Sequence, residues 1–358
     1  MIDGIPVIDG IVHAYNWEPS NYANRHGKMI VDDLGGTFYA TTVPGYRLPP
    51  TPQAFLRDWP IGEIANISFL ESYNDLAVYH VLPINAFKDG SCSLDKGIEA
   101  TQRWPDRFIV YAGIDPMQGQ KALDDLDEQW ERLGHPIGLK LYPNSWVGEQ
   151  ISGWFMNDPE IAFPVFEHAR KLGIKIIAVH KALPMGPVEM SHYHTEDIDR
   201  AAMAFPDLQF EIVHGGMSFV EETAWQLARF RNVWVNLEVT SSLVTVRPAM
   251  LERILAQLIS GGPSALDRII WGTGAVAYHS RPLIEAFVRD FQFSESLLAE
   301  GLPELTLNLK AKIMGENYAR LAGIDLDDRL TRIKGDEFDT DGDLAPPFST
   351  TGAAGHAE

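Results

Sequence analysis

Apolar runs rich in β-branched residues alternate with amphipathic or charged stretches between residues 5 and 275. Eight such runs occur: IPVIDGIVHAY, LAVYHVLPI, RFIVYAGIDP, IGLKLYP, IKIIAVHKA, QFEIVHGG, VWVNLEVTSS and RIIWGTG. Continuous apolar runs are typical of parallel strands buried on both faces, and the segments between them carry apolar positions at helical spacing. Eight strand–helix units predict an α/β protein with a (β/α)8 TIM barrel. An open doubly wound sheet is the alternative, but no GxGxxG follows the first strand.

Two segments depart from this alternation. Residues 17–60 are rich in Pro, Gly, Tyr and Asn and form an insertion after the first strand, which predicts a lid, a partner contact or an inert loop. Residues 326–358 are acidic, then rich in Pro, Gly, Ser and Thr, and lack a core pattern. We therefore expect a barrel over residues 1–325 and a flexible acidic tail over residues 326–358.

Composition narrows the class of protein. With 358 residues and 45% hydrophobic content, the chain has enough apolar material for one large barrel. A formal net charge of −20 argues against binding nucleic acid or an anionic membrane surface. The single cysteine, Cys92, excludes an internal disulfide, and the start MIDGIPVIDG lacks the basic region of a secretory signal. No run is long enough to span a bilayer, so we expect a cytoplasmic protein.

Histidines stand at the ends of several predicted strands, where TIM-barrel enzymes build their sites. A lone strand-end histidine is usually a structural residue, but four from different strands meet at one barrel mouth. Imidazole and carboxylate groups are ligands for zinc, iron and manganese, so the sequence predicts a metal site. The predicted ligands are His13, His80, His180, His214 and Glu238.

Lys140 lies in the fourth predicted strand and has three interpretations. It could be a carbamylated metal bridge, a clamp for a substrate carboxylate, or a stem packed in the barrel, and the last two are favoured because Tyr142 and Pro143 follow. Lys140 and His214 are the candidate catalytic residues. His192 and His194 have ligand-like spacing, although two solvated histidines in a surface loop are the preferred interpretation.

The segments VIDGIVH, GLKLYP, EIVHGG, RIIWGTG and IMGENYARLAG, together with the strand that carries His180, resemble the amidohydrolase superfamily over about residues 5–325. The resemblance is to its branch of amidohydrolase-related decarboxylases and hydrolases. It implies a distorted TIM barrel with metal at the strand ends. His13 would be the second histidine of the family's HxH pair, and His180 and His214 its strand-five and strand-six histidines.

Two positions depart from the family pattern. Ile11 stands where the pair has its first histidine, and Gly274 stands where strand eight has its metal-binding aspartate. In the hydrolases that aspartate also moves the proton of the attacking water, which glycine cannot do. We expect His80 and Glu238 to rebuild the site across the barrel mouth.

The altered ligand pattern in HAYN, VYH and LEVT is similar to that of a small group of amidohydrolase-like oxygenases. That resemblance implies a dinuclear iron or manganese–iron site that hydroxylates unactivated carbon, as in the degradation of 2-aminoisobutyrate. The leading hypothesis is therefore a monooxygenase acting on a small carboxylate-bearing substrate. No haem, flavin or iron–sulfur motif is visible, so the electrons would come from a separate electron-transfer protein.

Two other functions stay open at this stage. One is a mononuclear zinc or manganese hydrolase or decarboxylase that has replaced its aspartate. The other is a non-catalytic subunit that keeps the barrel and stabilises an active homologue. A homo-oligomer or a hetero-oligomer with a homologous subunit is expected in either case.

Overall fold

The computed structural model describes residues 1–43, 45–46, 56–340 and 342–351. Each of the eight predicted runs forms a strand. These barrel strands are β1 (Ile8–Val12), β2 (Leu76–His80), β3 (Phe108–Gly113), β4 (Gly138–Leu141), β7 (Ile176–His180), β8 (Gln209–Val213), β9 (Val233–Asn236) and β10 (Ile269–Ile270). A small antiparallel pair, β5 (Asn144–Ser145) and β6 (Ser152–Gly153), follows β4 outside the barrel.

The eight barrel strands form one parallel sheet in the order β1-β2-β3-β4-β7-β8-β9-β10. The first and last strands meet through backbone hydrogen bonds, because Gly10 N donates to Trp271 O at 3.0 Å and Gly274 N donates to Ile11 O at 3.0 Å. The sheet therefore closes on itself, and the predicted TIM barrel is confirmed.

Helices follow the strands and cover the outside of the barrel. The first seven are α1 (Arg25–Thr41), α2 (Ile61–Ala65), α3 (Leu94–Arg103), α4 (Gln120–Arg132), α5 (Ala162–Leu172), α6 (Ile198–Ala204) and α7 (Val220–Arg229). The others are α8 (Leu243–Val246), α9 (Pro248–Leu258), α10 (Ser280–Glu285), α11 (Glu295–Ala299), α12 (Leu307–Ala311), α13 (Asn317–Ala322) and α14 (Leu326–Arg332). None of the helices in the described part of the chain is both long and apolar enough to cross a membrane.

Apolar side chains fill the barrel interior away from the strand ends. Ile11, at the position of the missing family histidine, is fully buried in a cluster with Val213 and Tyr111. Tyr318 from α13 joins the same cluster, and its hydroxyl donates to the Tyr111 hydroxyl at 2.9 Å. The first position of the HxH pair has thus become part of the hydrophobic core.

The insertion after β1 contributes helix α1, which begins at an N-cap, Asn24, whose side chain accepts from His26 N at 2.9 Å. Asn24 also donates from Nδ2 to Trp146 O at 2.8 Å, which fastens the start of the helix to the loop after β5. Residues 44 and 47–55 of the insertion lie outside the described residues. The described part of the insertion is packed on the barrel mouth.

The C-terminal segment differs from the flexible tail expected from its composition. It contains α14, and the side chains of Phe338 and Phe348 are each only 4% exposed. Arg107 donates to both carboxylate oxygens of Asp336 at 2.7 Å. A few buried aromatic rings and a bidentate ion pair fix this acidic segment, although its sequence lacks a regular hydrophobic period. Residues 341 and 352–358 of the predicted tail lie outside the described part.

Candidate active site

A cavity opens at the carboxyl ends of the barrel strands. Its polar end is formed by five of the predicted site residues, namely His13, Lys140, His180, His214 and Glu238. Its walls are mostly apolar or aromatic and include Tyr15, Trp17, Leu82, Tyr142 and Met185. The space not filled by protein atoms is about 560 Å³, part of which is open to solvent. A mostly apolar cleft with a few convergent polar groups is the usual form of a small-molecule site.

Four side chains at the polar end form a continuous chain of contacts in space. His180 Nδ1 lies 2.9 Å from His214 Nε2, and His214 Nδ1 lies 2.5 Å from Glu238 Oε2. Glu238 Oε1 lies 3.5 Å from His13 Nε2. The three histidines come from the ends of the first, fifth and sixth barrel strands, and Glu238 follows the seventh. The structure therefore brings together four of the five predicted metal ligands.

Burial sets the charge states of these groups. The pKa values of His13 and His180 lie below the ordinary histidine value, chiefly because burial penalises the charged ring. Burial also acts to raise the pKa of Glu238, but the contacts with His214 and His13 outweigh it and leave that pKa well below its usual range. Neutral imidazoles beside an ionised carboxylate are the forms in which these side chains bind metals.

Gly274 and Glu238 share one small volume at the mouth. A Cβ atom at Gly274 would collide with the Glu238 carboxylate, and Gly274 has a φ of 74°, in the left-handed region. Position 274, where the family has its aspartate, thus carries no side chain. The carboxylate of Glu238, which follows the seventh barrel strand, occupies the space that such a side chain would need. This geometry agrees with the expectation that Glu238 replaces the lost acid, and its role as a metal ligand stays a prediction.

Unusual backbone conformations lie next to this carboxylate. His214 and Val239 have φ values of 61° and 62°, a region that residues other than glycine rarely adopt. Val239 directly follows Glu238, and its branched side chain makes that conformation especially unfavourable. Strained residues of this kind cluster at active sites, where the surrounding packing holds them in place.

His80 lies apart from the other predicted ligands. Its ring stacks on Tyr111 with centroids 4.4 Å apart, and it is completely buried within the barrel without lining the cavity. Neither ring nitrogen has a hydrogen-bond partner among the described residues. Burial lowers the pKa of His80 well below the ordinary value, so the ring is neutral. Its assignment as a metal ligand stays a prediction.

Lys140 is the cationic residue of the cavity and is only 1% exposed. Burial lowers its pKa from 10.5 to about 8, and Glu238 and Glu211 partly offset the loss through their charges, without a hydrogen bond. Its Nζ lies 5.3 Å from the centre of the Tyr142 ring. The ammonium group therefore faces the cavity in reach of a ligand rather than being neutralised by a direct ion pair.

Two buried carboxylates near the site were not predicted as site residues. Asp9 accepts hydrogen bonds from Thr273 N at 2.8 Å and from the Ser280 hydroxyl at 3.1 Å, which ties β1 to the loop after β10. Burial raises the pKa of Asp9 to about 6. Glu211 accepts from Asn236 Nδ2 at 2.6 Å, and burial raises its pKa to about 7. The only sequence signal was an acidic residue inside an otherwise apolar run.

Aromatic rings extend from His13 toward the insertion. The Tyr15 ring lies 4.8 Å from the His13 ring, and Tyr15 stacks on Trp17 at 4.3 Å between centroids. Trp17 in turn faces Phe38 of α1 at 6.1 Å. Ile30, Leu34 and Phe38 of α1 line the cavity, so the insertion contributes the apolar wall opposite the histidines.

The remaining histidines of interest lie outside the cavity lining. His194 Nδ1 contacts Glu222 Oε1 at 2.7 Å, and His192 packs on Phe155 with ring centroids 4.7 Å apart. His26 is buried near the start of α1. His192 and His194 are partly buried, in contrast to the solvated pair preferred from the sequence, and neither lines the cavity.

The polar end of the cavity carries donor groups of the kinds that bind divalent metals. Three buried imidazoles and one ionised carboxylate suit zinc, manganese or iron. In the part of the chain that the structure describes, no three His, Cys, Asp or Glu side chains are arranged to hold one ion. Instead, His180 contacts His214 and the Glu238 carboxylate lies against His214, while Glu238 Oε2 has no hydrogen-bond partner among the described residues. The donor types fit a single metal ion.

Solved structures share this architecture. An uncharacterized TIM-barrel protein from Bordetella bronchiseptica has a TM-score of 0.63 at 19% identity, with 89% of this chain and 100% of that chain covered. The 5-carboxyvanillate decarboxylase from Sphingomonas paucimobilis has a TM-score of 0.55 at 15% identity, with 90% and 100% covered. A 4-oxalomesaconate hydratase from Rhodopseudomonas palustris has a TM-score of 0.50 at 16% identity, with 92% and 98% covered. At these identities the likeness establishes the fold.

Sequence comparison assigns the family. No curated protein sequence matches the chain. Residues 90–324, about two thirds of the chain, match the amidohydrolase family, and this range includes four of the five residues at the polar end of the cavity. Together with the barrel and the strand-end histidines, this match confirms the resemblance inferred from the sequence motifs. The chain is a member of the amidohydrolase superfamily.

Proposed function

We propose that this protein is a metal-dependent carboxy-lyase that removes CO2 from a small carboxylate with an apolar or aromatic body. The observation that carries the proposal is the pairing of a buried ammonium, Lys140, with a largely apolar cavity whose polar groups include three histidines and Glu238. A carboxylate held in such a cavity loses its hydration, which favours release of neutral CO2.

Decarboxylation fits the lost strand-eight acid better than hydrolysis does. Hydrolysis in this superfamily needs a strand-eight carboxylate that accepts the proton of the attacking water, and Gly274 offers none. Glu238 would have to take that role while its carboxylate already faces His214 and His13. Decarboxylation needs no attacking water. The bond between carbon and the carboxyl group breaks, the electron pair stays on the carbon, and one proton is delivered to that carbon.

Each side chain at the polar end has a role in this scheme. Lys140 binds the substrate anion through its ammonium group. His214 would deliver the proton from Nε2 while the Glu238 contact at Nδ1 orients its ring, and this step requires that the His180 contact at Nε2 opens to the substrate. A divalent metal held by residues of the set His13, His180 and Glu238 would supply Lewis-acid stabilisation of developing negative charge.

The names of the structural neighbours support a reaction on a carboxylate-bearing substrate. One is a decarboxylase and another a hydratase, and both act on carboxylate-bearing compounds by their names. The four donors at the cavity are enough for one metal, whereas a dinuclear oxygenase needs more, and His80 does not line the cavity. The monooxygenase hypothesis therefore has less support than the decarboxylase alternative.

The proposal is tested with the full chain loaded with Zn²⁺, Mn²⁺ or Fe²⁺. The loaded protein is incubated under nitrogen with 5-carboxyvanillate and a panel of hydroxybenzoates, and released CO2 is measured against the Lys140→Met variant. The proposal predicts CO2 equal to the substrate consumed, without oxygen, and strongly reduced release by the variant. Turnover only in air with a hydroxylated product would overturn it in favour of an oxygenase. Absence of turnover and of bound metal would overturn it in favour of a non-catalytic subunit.

A further inference from the structure

The C-terminal segment reaches back to a carboxylate buried beside the barrel. Glu71 is completely buried and accepts hydrogen bonds from Phe348 N at 2.5 Å and from Thr350 N at 2.9 Å. The Thr350 hydroxyl donates to the same carboxylate, and Asn66 Nδ2 donates to Thr350 O at 3.3 Å. These contacts join residues separated by more than 270 positions, so the segment is a specific tertiary element.

His279 receives contacts from both the C-terminal segment and the insertion. Its Nε2 lies 3.1 Å from Glu71 Oε2, within hydrogen-bond distance. Its ring packs edge-on against Phe348 at 5.0 Å and lies 5.3 Å from the ring of Tyr46. Phe348 belongs to the C-terminal segment and Tyr46 to the insertion, so the two long peripheral segments of the chain meet on this one imidazole.

The loop that ends at His279 forms part of the active site. Gly274 borders the Glu238 carboxylate, and His13 N donates to Ala275 O. Tyr278 directly precedes His279, and its hydroxyl oxygen lies 2.9 Å from the hydroxyl oxygen of Thr41. The centre of its ring lies 5.5 Å from that of Phe38. Thr41 and Phe38 belong to α1, the helix whose apolar side chains close one wall of the cavity.

We propose that Glu71 is a positioning residue through which the C-terminal segment holds helix α1 over the catalytic cavity. The connection runs from Phe348 and Thr350 to Glu71, then to His279, and from the neighbouring Tyr278 to α1. A buried carboxylate deprived of its donors must recruit water or other partners, and His279 would lose its fixed orientation with it. The C-terminal segment therefore controls how firmly the apolar wall closes on a ligand, whatever reaction takes place beneath it.

The test uses hydrogen exchange of the full chain, which needs neither substrate nor metal. The double variant Phe348→Ala/Thr350→Val removes the ring against His279 and the hydroxyl donor to Glu71. The proposal predicts amide exchange in Arg25–Thr41 about tenfold faster than in the unmodified protein, with no change in the barrel strand Ile176–His180. The matched control, Asp336→Asn, weakens the ion pair with Arg107 elsewhere in the same segment and is expected to leave α1 exchange unchanged.

A second variant of the full chain keeps the proposal testable if the double variant does not fold. Glu71→Gln keeps the shape of the side chain but removes its charge and one acceptor for the four groups that donate to it, and faster exchange in α1 alone is again expected. Unchanged exchange in α1 of either folded variant would overturn the proposal, as would equal acceleration in α1 and in the barrel strand. Hydrogen exchange does not depend on turnover. The role proposed for Glu71 can therefore be refuted without refuting the proposed decarboxylation, and the reverse.

Discussion

The carboxylate of Glu238 occupies the space into which any side chain at Gly274 would project. A side chain on the eighth strand at this position would therefore displace the Glu238 carboxylate from its observed place. Glu238 also contacts His214 at 2.5 Å and lies 3.5 Å from His13, so its carboxylate lies between two of the three cavity histidines.

Restoring the family acid at position 274 is expected to harm the protein. Gly274→Asp places a side chain against Glu238 at a φ of 74°, and it should lower the free energy of unfolding by about 1–3 kcal/mol. Denaturant unfolding of the metal-free protein measures the loss. Gly4→Asp is the control, because Gly4 has a φ of 82° but no neighbour near its Cβ position. Equal stability of Gly274→Asp and the unmodified protein would contradict the steric exclusion.

The same exclusion predicts partial rescue. Adding Glu238→Ala to Gly274→Asp removes the collision and leaves one carboxylate in the shared volume. The double variant should be more stable than the sum of the two single changes predicts, because contacting residues are coupled by about 0.5–3 kcal/mol. Denaturant unfolding of all four proteins gives this coupling energy directly. Strict additivity would show that the two side chains do not compete for space.

Lys140 is expected to determine affinity for the carboxylate group. Lys140→Met keeps most of the stem and deletes the charge, so binding of benzoate as a probe should weaken about 10- to 100-fold, as expected for loss of a charge-assisted hydrogen bond. Calorimetric titration measures the dissociation constants. Benzamide, which has the same shape without the charge, serves as the control ligand and should bind both proteins alike. A benzoate affinity unaffected by the substitution would make Lys140 a structural residue.

Binding of the anion should also depend on pH. The pKa of Lys140 is lowered from 10.5 to about 8, so the ammonium form is present below pH 8 and is lost as the pH rises through that value. Benzoate affinity is therefore expected to be constant near pH 7 and to fall toward tenfold per pH unit well above pH 8. The Lys140→Met variant should show no such fall. A profile that stays flat up to pH 10 in the unmodified protein would rule out the ammonium as the anion-binding group.

A substitution at His80 distinguishes the mononuclear proposal from the dinuclear hypothesis. Since its ring stacks on Tyr111 and does not line the cavity, the mononuclear proposal predicts that His80→Asn leaves the metal content of the protein unchanged. The dinuclear hypothesis predicts that one of two metals is lost. Elemental analysis after dialysis distinguishes these outcomes. His194→Asn, at a histidine paired with Glu222 away from the cavity, is the control.

The fold was accessible from the sequence because the barrel strands are buried on both faces. Strands buried on both faces need continuous apolar runs, and IKIIAVHKA and QFEIVHGG are such runs. Both form strands in the structure, as predicted. Strand-end positions also located the polar side chains at the mouth, since parallel strands present their carboxyl ends together. The boundaries were less predictable. The last strand covers only Ile269–Ile270, because the glycine turn begins soon after it.

Other features depend on contacts that no local pattern encodes. Ile11 is buried in a cluster built from several strands, and His80 stacks on Tyr111 because the two residues are paired across β2 and β3. The C-terminal segment was expected to be flexible because its composition is polar, yet Phe348 and Glu71 make long-range contacts that sequence periodicity cannot reveal. Asp9 was overlooked because a single acid in an apolar run carries no indication of its partners.

The metal content of the Glu238→Gln variant tests the central claim most directly. The variant keeps the size of the side chain and removes the negative charge that faces His13 and His214. We predict about one divalent metal ion per chain in the unmodified protein, and a 10- to 100-fold weaker affinity or complete loss in the variant, both measured by elemental analysis after dialysis. Full metal occupancy in Glu238→Gln, or two metals including iron in the unmodified protein, would contradict a mononuclear site centred on Glu238.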